Sequence, residues 1–318
     1  MDTPLVSILI PVYNGSNYLR EAIDSALAQT YPNTEILVIN DGSRDEGATE
    51  AIARSYGDRI RYFSKENGGV SSALNVGIRN MTGEYFSWLS HDDLYLPRKV
   101  ELQVEALRAY GGEDGRSVVL CGSRNIDKDR NLLKSFSGEK QLQIGKNPWH
   151  AALKELLRLG SYNGCALLIP KEAFVESGLF DEGLRYSQDA LMWTKIFLNR
   201  FDLIRVEEVG VYNRIHGGQL TQKGRAMFRS DSERVAEEIV PQLADQGEHS
   251  AELLFRYARY HAMWQNDGVV KRCLRESKER RLLTVSQRQR IRWTGAYGRV
   301  RPMIRKVFYR VFRKIKTT

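Results

Sequence analysis

Short apolar runs alternate with amphipathic stretches over the first hundred residues. Leu5-Val-Ser-Ile-Leu-Ile-Pro-Val-Tyr13, Glu35-Ile-Leu-Val-Ile39, Arg61-Tyr-Phe63 and Tyr85-Phe-Ser-Trp-Leu89 have the length and the β-branched or aromatic content of buried strands. Between the first two, Leu19, Ala22, Ile23, Ala26 and Leu27 recur at helical spacing, with Ser16 or Asn17 as a cap and Pro32 as a stop. Helices are expected again over about 45–56 and 71–80. Strands alternating with helices in this way predict an α/β fold with a mostly parallel, doubly wound sheet flanked by helices.

Polar residues follow each strand: Tyr13-Asn14, Asp41-Gly42, Lys65-Glu-Asn-Gly-Gly69 and Asp92-Asp93. In a parallel sheet these loops share one edge, where open α/β sheets bind their ligands. The adjacent carboxylates of Asp92 and Asp93 suit a hard divalent cation that carries a diphosphate. They also suit a turn that caps the helix after Pro97.

Beyond residue 97 the pattern predicts helices at 98–109, 171–177 and 190–199. It predicts strands at 117–122, 131–137, 163–170 and 211–216. From about residue 225 it is helical throughout, which divides the chain into an α/β domain over 1–222 and a helical C-terminal region over 223–318. In the last segment Val300, Met303, Ile304, Val307, Phe308, Val311, Phe312 and Ile315 fall on one face, and Arg and Lys fill the rest.

Charge sharpens this division. Residues 270–318 hold 17 Lys and Arg against two Glu, a local net of +15, within a chain of net +9; the remainder is mildly acidic. A basic amphipathic helix over 299–316 fits an in-plane membrane helix, or a helix packed on its own domain. No nucleic-acid recognition module accompanies the charge, so no nucleic-acid partner is expected, although an anion-binding role for the tail is the competing class. Three cysteines without a CxxC pair argue against a zinc site or a disulfide framework and fit a reducing compartment. The N-terminus lacks the basic region of a signal peptide, and no apolar run approaches the roughly 18 residues of a spanning helix. The loop after the first strand, Val12-Tyr-Asn-Gly-Ser16, lacks the Gly-rich, basic phosphate loop expected of a nucleotidyltransferase.

Ile10-Pro-Val-Tyr-Asn14, Val38-Ile-Asn-Asp-Gly-Ser43, Glu66-Asn-Gly-Gly-Val-Ser-Ser-Ala-Leu-Asn-Val-Gly-Ile78, Leu89-Ser-His-Asp-Asp93 and Gln188-Asp189 together resemble the family 2 glycosyltransferases. The resemblance spans about residues 5–220. It implies a GT-A fold and an inverting, metal-dependent hexosyltransferase that moves a sugar from a nucleotide-diphosphate sugar, UDP-linked by preference. The implied acceptor is a glycan or a polyprenyl-linked glycan of surface polysaccharide or lipopolysaccharide assembly. The implied setting is bacterial, with a cytoplasmic enzyme held peripherally on the inner face of the membrane through residues 299–316.

The resemblance also assigns roles. Pro11, Tyr13 and Asn14 wall the base, and Asp41 accepts a hydrogen bond from its edge; Asx-turn formation is the alternative for Asp41. Asn67 and Gly68 let the backbone approach the nucleotide. Asp92 and Asp93 match the metal-binding end of an Asp-x-Asp motif whose first acid is Ser90 here, and contact the ribose and Mn²⁺ or Mg²⁺. His216 completes the metal shell, or is a surface group, and Arg214 contacts the diphosphate. Asp189 is the general base, or the N-cap of the following helix, with Gln188 in place of a first acid. Trp193 lines the acceptor site or fills the core. Because Ser90 and Gln188 depart from the acidic pattern, a non-catalytic nucleotide-sugar-binding relative is the alternative.

Overall fold

The structure is a computed structural model that describes residues 3–133, 142–217 and 225–299. It separates into two compact units, Met1–Glu155 with Ser161–Met227, and Leu156–Gly160 with Phe228–Thr318.

In the first unit the strands β1 (Val6–Val12), β2 (Thr34–Asn40), β3 (Arg61–Ser64) and β4 (Tyr85–Trp88) alternate with helices α1 (Leu19–Leu27), α2 (Ala48–Arg54) and α3 (Val70–Asn80). Then come β5 (Leu94–Tyr95), α4 (Lys99–Ala109), β6 (Ser117–Ile126), β7 (Gly145–Asn147), α5 (Trp149–Leu159), β8 (Leu167–Pro170), α6 (Glu172–Ser177), α7 (Gln188–Leu198) and β9 (Asp202–Arg214). The described strands form one sheet in the order β3-β2-β1-β4-β8-β6-β9-β5, with β7 also on β9. This mixed α/β sheet with flanking helices is the expected fold class. Strands β3, β2, β1, β4, β6 and β9 run one way, while β8, β5 and β7 run the other.

The chain winds outward from β1 through β2 to β3, then crosses to β4 on the other side of β1. That reversal makes the gap between β1 and β4 a topological switch point. Pro11 marks where the gap opens. β4 pairs with β1 only as far as Leu9↔Trp88, and Leu9 O accepts the Leu89 N–H at 2.9 Å. Two residues on, the side of Pro11 that lacks an N–H faces the same way, past the end of β4, so no ladder bond is forfeited. Val12 still pairs with β2, through Asp41 N–H at 2.8 Å.

Several elements depart from the sequence expectation. The strand expected at 211–216 is the end of the 13-residue β9. At 131–137 the described part shows only an isolated bridge, Ile126↔Leu132, and the rest lies outside the described residues. Neither Ser16 nor Asn17 is the cap of α1; Tyr18 holds that position, and Gly15 O takes the Tyr18 and Leu19 N–H groups.

The second unit holds α8 (Arg225–Leu243), α9 (Ser250–Met263), α10 (Asp267–Glu279) and helical residues 285–299. Its core includes Val240, Leu243, Leu253, Leu254, Val269, Cys273 and Ile291. The amphipathic stretch expected over 299–316 lies outside the described residues beyond Arg299. Among the described residues no helix is long and apolar enough to cross a membrane.

Candidate active site

The β2–α2 loop and the β3–α3 loop are tied together by Asp41. Its buried carboxylate takes the Lys65 ammonium at 2.7 Å and the Gly68 N–H at 3.0 Å on Oδ1, and the Gly69 N–H at 2.7 Å on Oδ2. Asn67 Nδ2 donates to the Asp41 carbonyl at 2.8 Å. The two loops run so close that a Cβ on Gly42, which has φ +68°, would lie 2.6 Å from the Asn67 nitrogen. A carboxylate has about four acceptor positions, and these bonds leave one open on Oδ2. Asn14, at φ +49°, joins the same group: its N–H donates to Ser43 Oγ at 2.9 Å, and its Oδ1 accepts from Arg44 N–H at 2.7 Å. Tyr13 stands 44% exposed beside it, while Pro11 is buried within β1. Tyr13, Asn14, Asp41, Asn67 and Gly68 are therefore brought to one edge.

The turn after β4 forms a second group. Asp92 Oδ2 lies 3.0 Å from His216 Nε2, and the His216 ring tilts against Tyr18 at 5.3 Å between centroids. Asp93 points inward: Oδ1 accepts the Arg214 N–H at 2.9 Å, and Oδ2 lies 3.4 Å from the Cys165 thiol. Burial, and next the charge of Asp92, push the Asp93 carboxyl up to about 7 against the Arg214 and Cys165 contacts. Of the three residues expected in one metal shell, Asp92 and His216 face each other, while Asp93 is turned inward to Arg214 and Cys165. Among the described residues no group of three or more His, Cys, Asp or Glu is placed to hold a metal.

Arg214, expected at the diphosphate, has a side chain 1% exposed that braces the site from within. Nε donates to Asp92 O at 2.9 Å, one terminal nitrogen to Lys128 O at 2.9 Å and the other to Glu21 at 2.7 Å, with the guanidinium over the Tyr18 ring. His91 is half-buried against Gly15, where an added Cβ would lie 2.6 Å from its ring.

A third group lies on residues 161–165. Ser161 Oγ donates to Asp189 Oδ2 at 2.9 Å, Asn163 Nδ2 donates to Asn213 Oδ1 at 2.8 Å, and Cys165 meets Asp93. One short segment thus links Asp189 to the Asp92–Asp93 turn. Asp189 is the second residue of α7, whose N-cap is Ser187, though Asp189 Oδ1 still accepts the Ala190 N–H at 2.7 Å. Burial raises its carboxyl above the ordinary range, opposed by the Ser161 bond. Trp193 is buried in the core; its Nε1 donates to Tyr162 O at 3.3 Å, and its ring lies edge-on to Phe180. Sequence reasoning missed Ser161, Cys165, Glu21 and Tyr18, none of which stands in a recognisable spacing.

The donors that remain for a divalent cation, Asp92 Oδ2 and His216 Nε2, face each other on one side of the turn. One carboxylate oxygen and one imidazole nitrogen fit a cation whose other ligands come from substrate phosphates and water.

Comparison with known proteins bears on the family and the fold. The Glycosyl transferase family 2 model matches residues 7–165, half of the chain. An uncharacterized glycosyltransferase of Rickettsia typhi is 51% identical over 219 residues, 69% of this chain and 66% of its own length. One of Rickettsia felis is 52% identical over 221 residues, and there the chain spans only 36% of the relative. Chondroitin synthase of Pasteurella multocida is 39% identical over 145 residues, 43% of this chain and 15% of that protein. Crystallised S. aureus TarS 1-349 superposes with a TM-score of 0.70 at 16% identity, covering 95% of this chain and 91% of that one, a likeness of fold. With half of its length matched by that family model, the chain belongs to glycosyl transferase family 2.

Proposed function

We propose that the chain transfers a sugar, with inversion, from a nucleotide-diphosphate sugar to a hydroxyl of a glycan or polyprenyl-linked acceptor in surface polysaccharide assembly. The observation that carries the reading is the convergence, at the β1/β4 switch point, of the Asp41 loop pair, the Asp92–His216 pair and Asp189. A uridine donor is favoured because TarS, of the same fold, has been crystallised with UDP and with UDP-GlcNAc.

Asp41 takes a base N–H on its open acceptor position, between the Tyr13–Asn14 wall and the Asn67–Gly68 backbone. Asp92 and His216 would hold Mn²⁺ or Mg²⁺, which offsets the charge that develops on the leaving diphosphate. Asp189 removes the proton from the acceptor hydroxyl as its oxygen attacks the anomeric carbon; a raised pKa makes it a better base, and Ser161 fixes its orientation.

Calorimetry against UDP-, GDP- and dTDP-sugars, with and without Mn²⁺, tests the donor site. One nucleotide should bind in a metal-dependent way, and Asp92→Asn should remove the metal dependence. Asp189→Asn should keep donor binding while turnover falls about 10²–10⁴-fold. Donor binding without turnover would favour a non-catalytic relative, and absence of binding by any donor with metal present would refute the reading.

A further inference from the structure

The helical residues 285–299 close the described part of the second unit, and their inner side is well defined. Ile291 is buried, a Cβ on Gly298 would lie 2.6 Å from the Met263 carbonyl, and one on Gly295 would lie 3.8 Å from that of Ala262. Gln265 Nε2 donates to Gly298 O at 2.9 Å. A helix turns about 100° per residue, which puts Ser286, Trp293 and Tyr297 on the stripe opposite these contacts, while the Arg290 guanidinium lies over the Phe255 ring of α9 at 5.8 Å. Trp293 is 77% exposed and Tyr297 52%. Two large aromatics one turn apart thus stand on the outer side of a helix whose opposite side is already packed.

The charge around them has one sign. Arg290, Arg292 and Arg299 are exposed on the same helix, and from Arg280 to Thr318 the sequence holds 13 Lys and Arg and no Asp or Glu. Tryptophan and tyrosine, with an apolar ring and a polar handle, settle at the headgroup level of a bilayer. Cations without interspersed anions complement an anionic leaflet. A nucleic acid would account for the arginines, but base stacking calls for aromatics set inside a basic groove, and these stand on an outward stripe.

We propose that helical residues 285–299 form a membrane-interfacial surface, with Trp293 and Tyr297 inserted at the headgroup level of an anionic bilayer and Arg292 and Arg299 pairing with lipid phosphates. The proposal is independent of the sugar-transfer reading.

The test is co-sedimentation of the full chain with phosphatidylcholine vesicles, with and without phosphatidylglycerol, and with brominated lipid as a quencher of tryptophan emission. The unaltered chain should bind the anionic vesicles, and its emission should be quenched. Trp293→Ser/Tyr297→Ser should bind about tenfold more weakly at an unchanged melting temperature, with reduced quenching. Arg292→Gln/Arg299→Gln should reduce the preference for phosphatidylglycerol. Equal binding by the aromatic double variant, or binding to single-stranded RNA with none to vesicles, would overturn the proposal. Quenching is read on the unaltered chain, so its absence would overturn the proposal even if a variant melted early.

Discussion

At Arg214 a guanidinium that is almost wholly out of water touches Glu21, two carbonyls and the face of Tyr18, while its own N–H holds Asp93. Glu21 is the carboxylate it meets, and Arg130 shares the same oxygen at 2.6 Å. Removing that charge takes the Glu21 anion away from the buried Arg214 guanidinium. Glu21→Gln should therefore cost about 1–3 kcal/mol in urea unfolding and should weaken metal-dependent nucleotide binding, because the Asp92 turn loses its brace. Full stability in the variant would show that the brace is dispensable. None of this was legible in sequence. Glu21 and Arg214 lie 193 positions apart, and an arginine near a histidine and two glycines reads as a ligand contact. Asp41 was legible because Asp-Gly-Ser follows an apolar run, but its engagement with Lys65 was not.

Among the elements, those that carry their own burial could be read directly. β1, β2 and β4 are apolar runs buried along most of their length, and α1 and α3 show one packed side. β9 was cut short because its middle, Arg205-Val-Glu-Glu-Val209, has no strand pattern; it is a strand because β6, β7 and β5 pair with it. β7, only Gly-Lys-Asn, is held by that pairing and by the Asn147 amide bonds to Gln143 O and Gly145 O. Packing between elements gives a sharper test. Gly77 on α3 lets the helix lie against β1, where an added Cβ would come within 2.8 Å of Leu9 Cγ and 3.1 Å of Ile39 Cδ1. Gly77→Ala should destabilise by about 1–3 kcal/mol through overpacking despite its gain in helix propensity; a higher melting temperature would contradict this.

For the molecule as a whole, acid should act on the two units at different pH. In the second unit, burial pushes the His261 imidazole down to about 3, and Asn266 Nδ2 lies 2.9 Å from Nδ1. The unfolded chain takes up that proton below about 6.5 and the folded one does not, so stability is lost as pH falls from there toward 3. In the first unit burial raises Glu35, but the bonds from Ser7, Thr82 and Arg61 outweigh it and hold it at about 2. Its contribution is complete above about 4.3 and disappears as pH falls toward 2. Hydrogen exchange near pH 5 should show α9 losing protection while β1 and β2 keep theirs; simultaneous loss would count against the separation.

The long strand β9 adds a consequence in time. It supplies Arg214 and leads to His216, the partners of a turn made more than a hundred residues earlier. On the ribosome, where roughly 5–20 residues emerge each second, the Asp92 turn waits several seconds for its brace. Until β9 pairs with β6, the nascent chain holds a sheet edge and an Asp41 loop pair but no completed centre. The Asp92–His216 pair is therefore completed late in synthesis, well after β1–β4 can form.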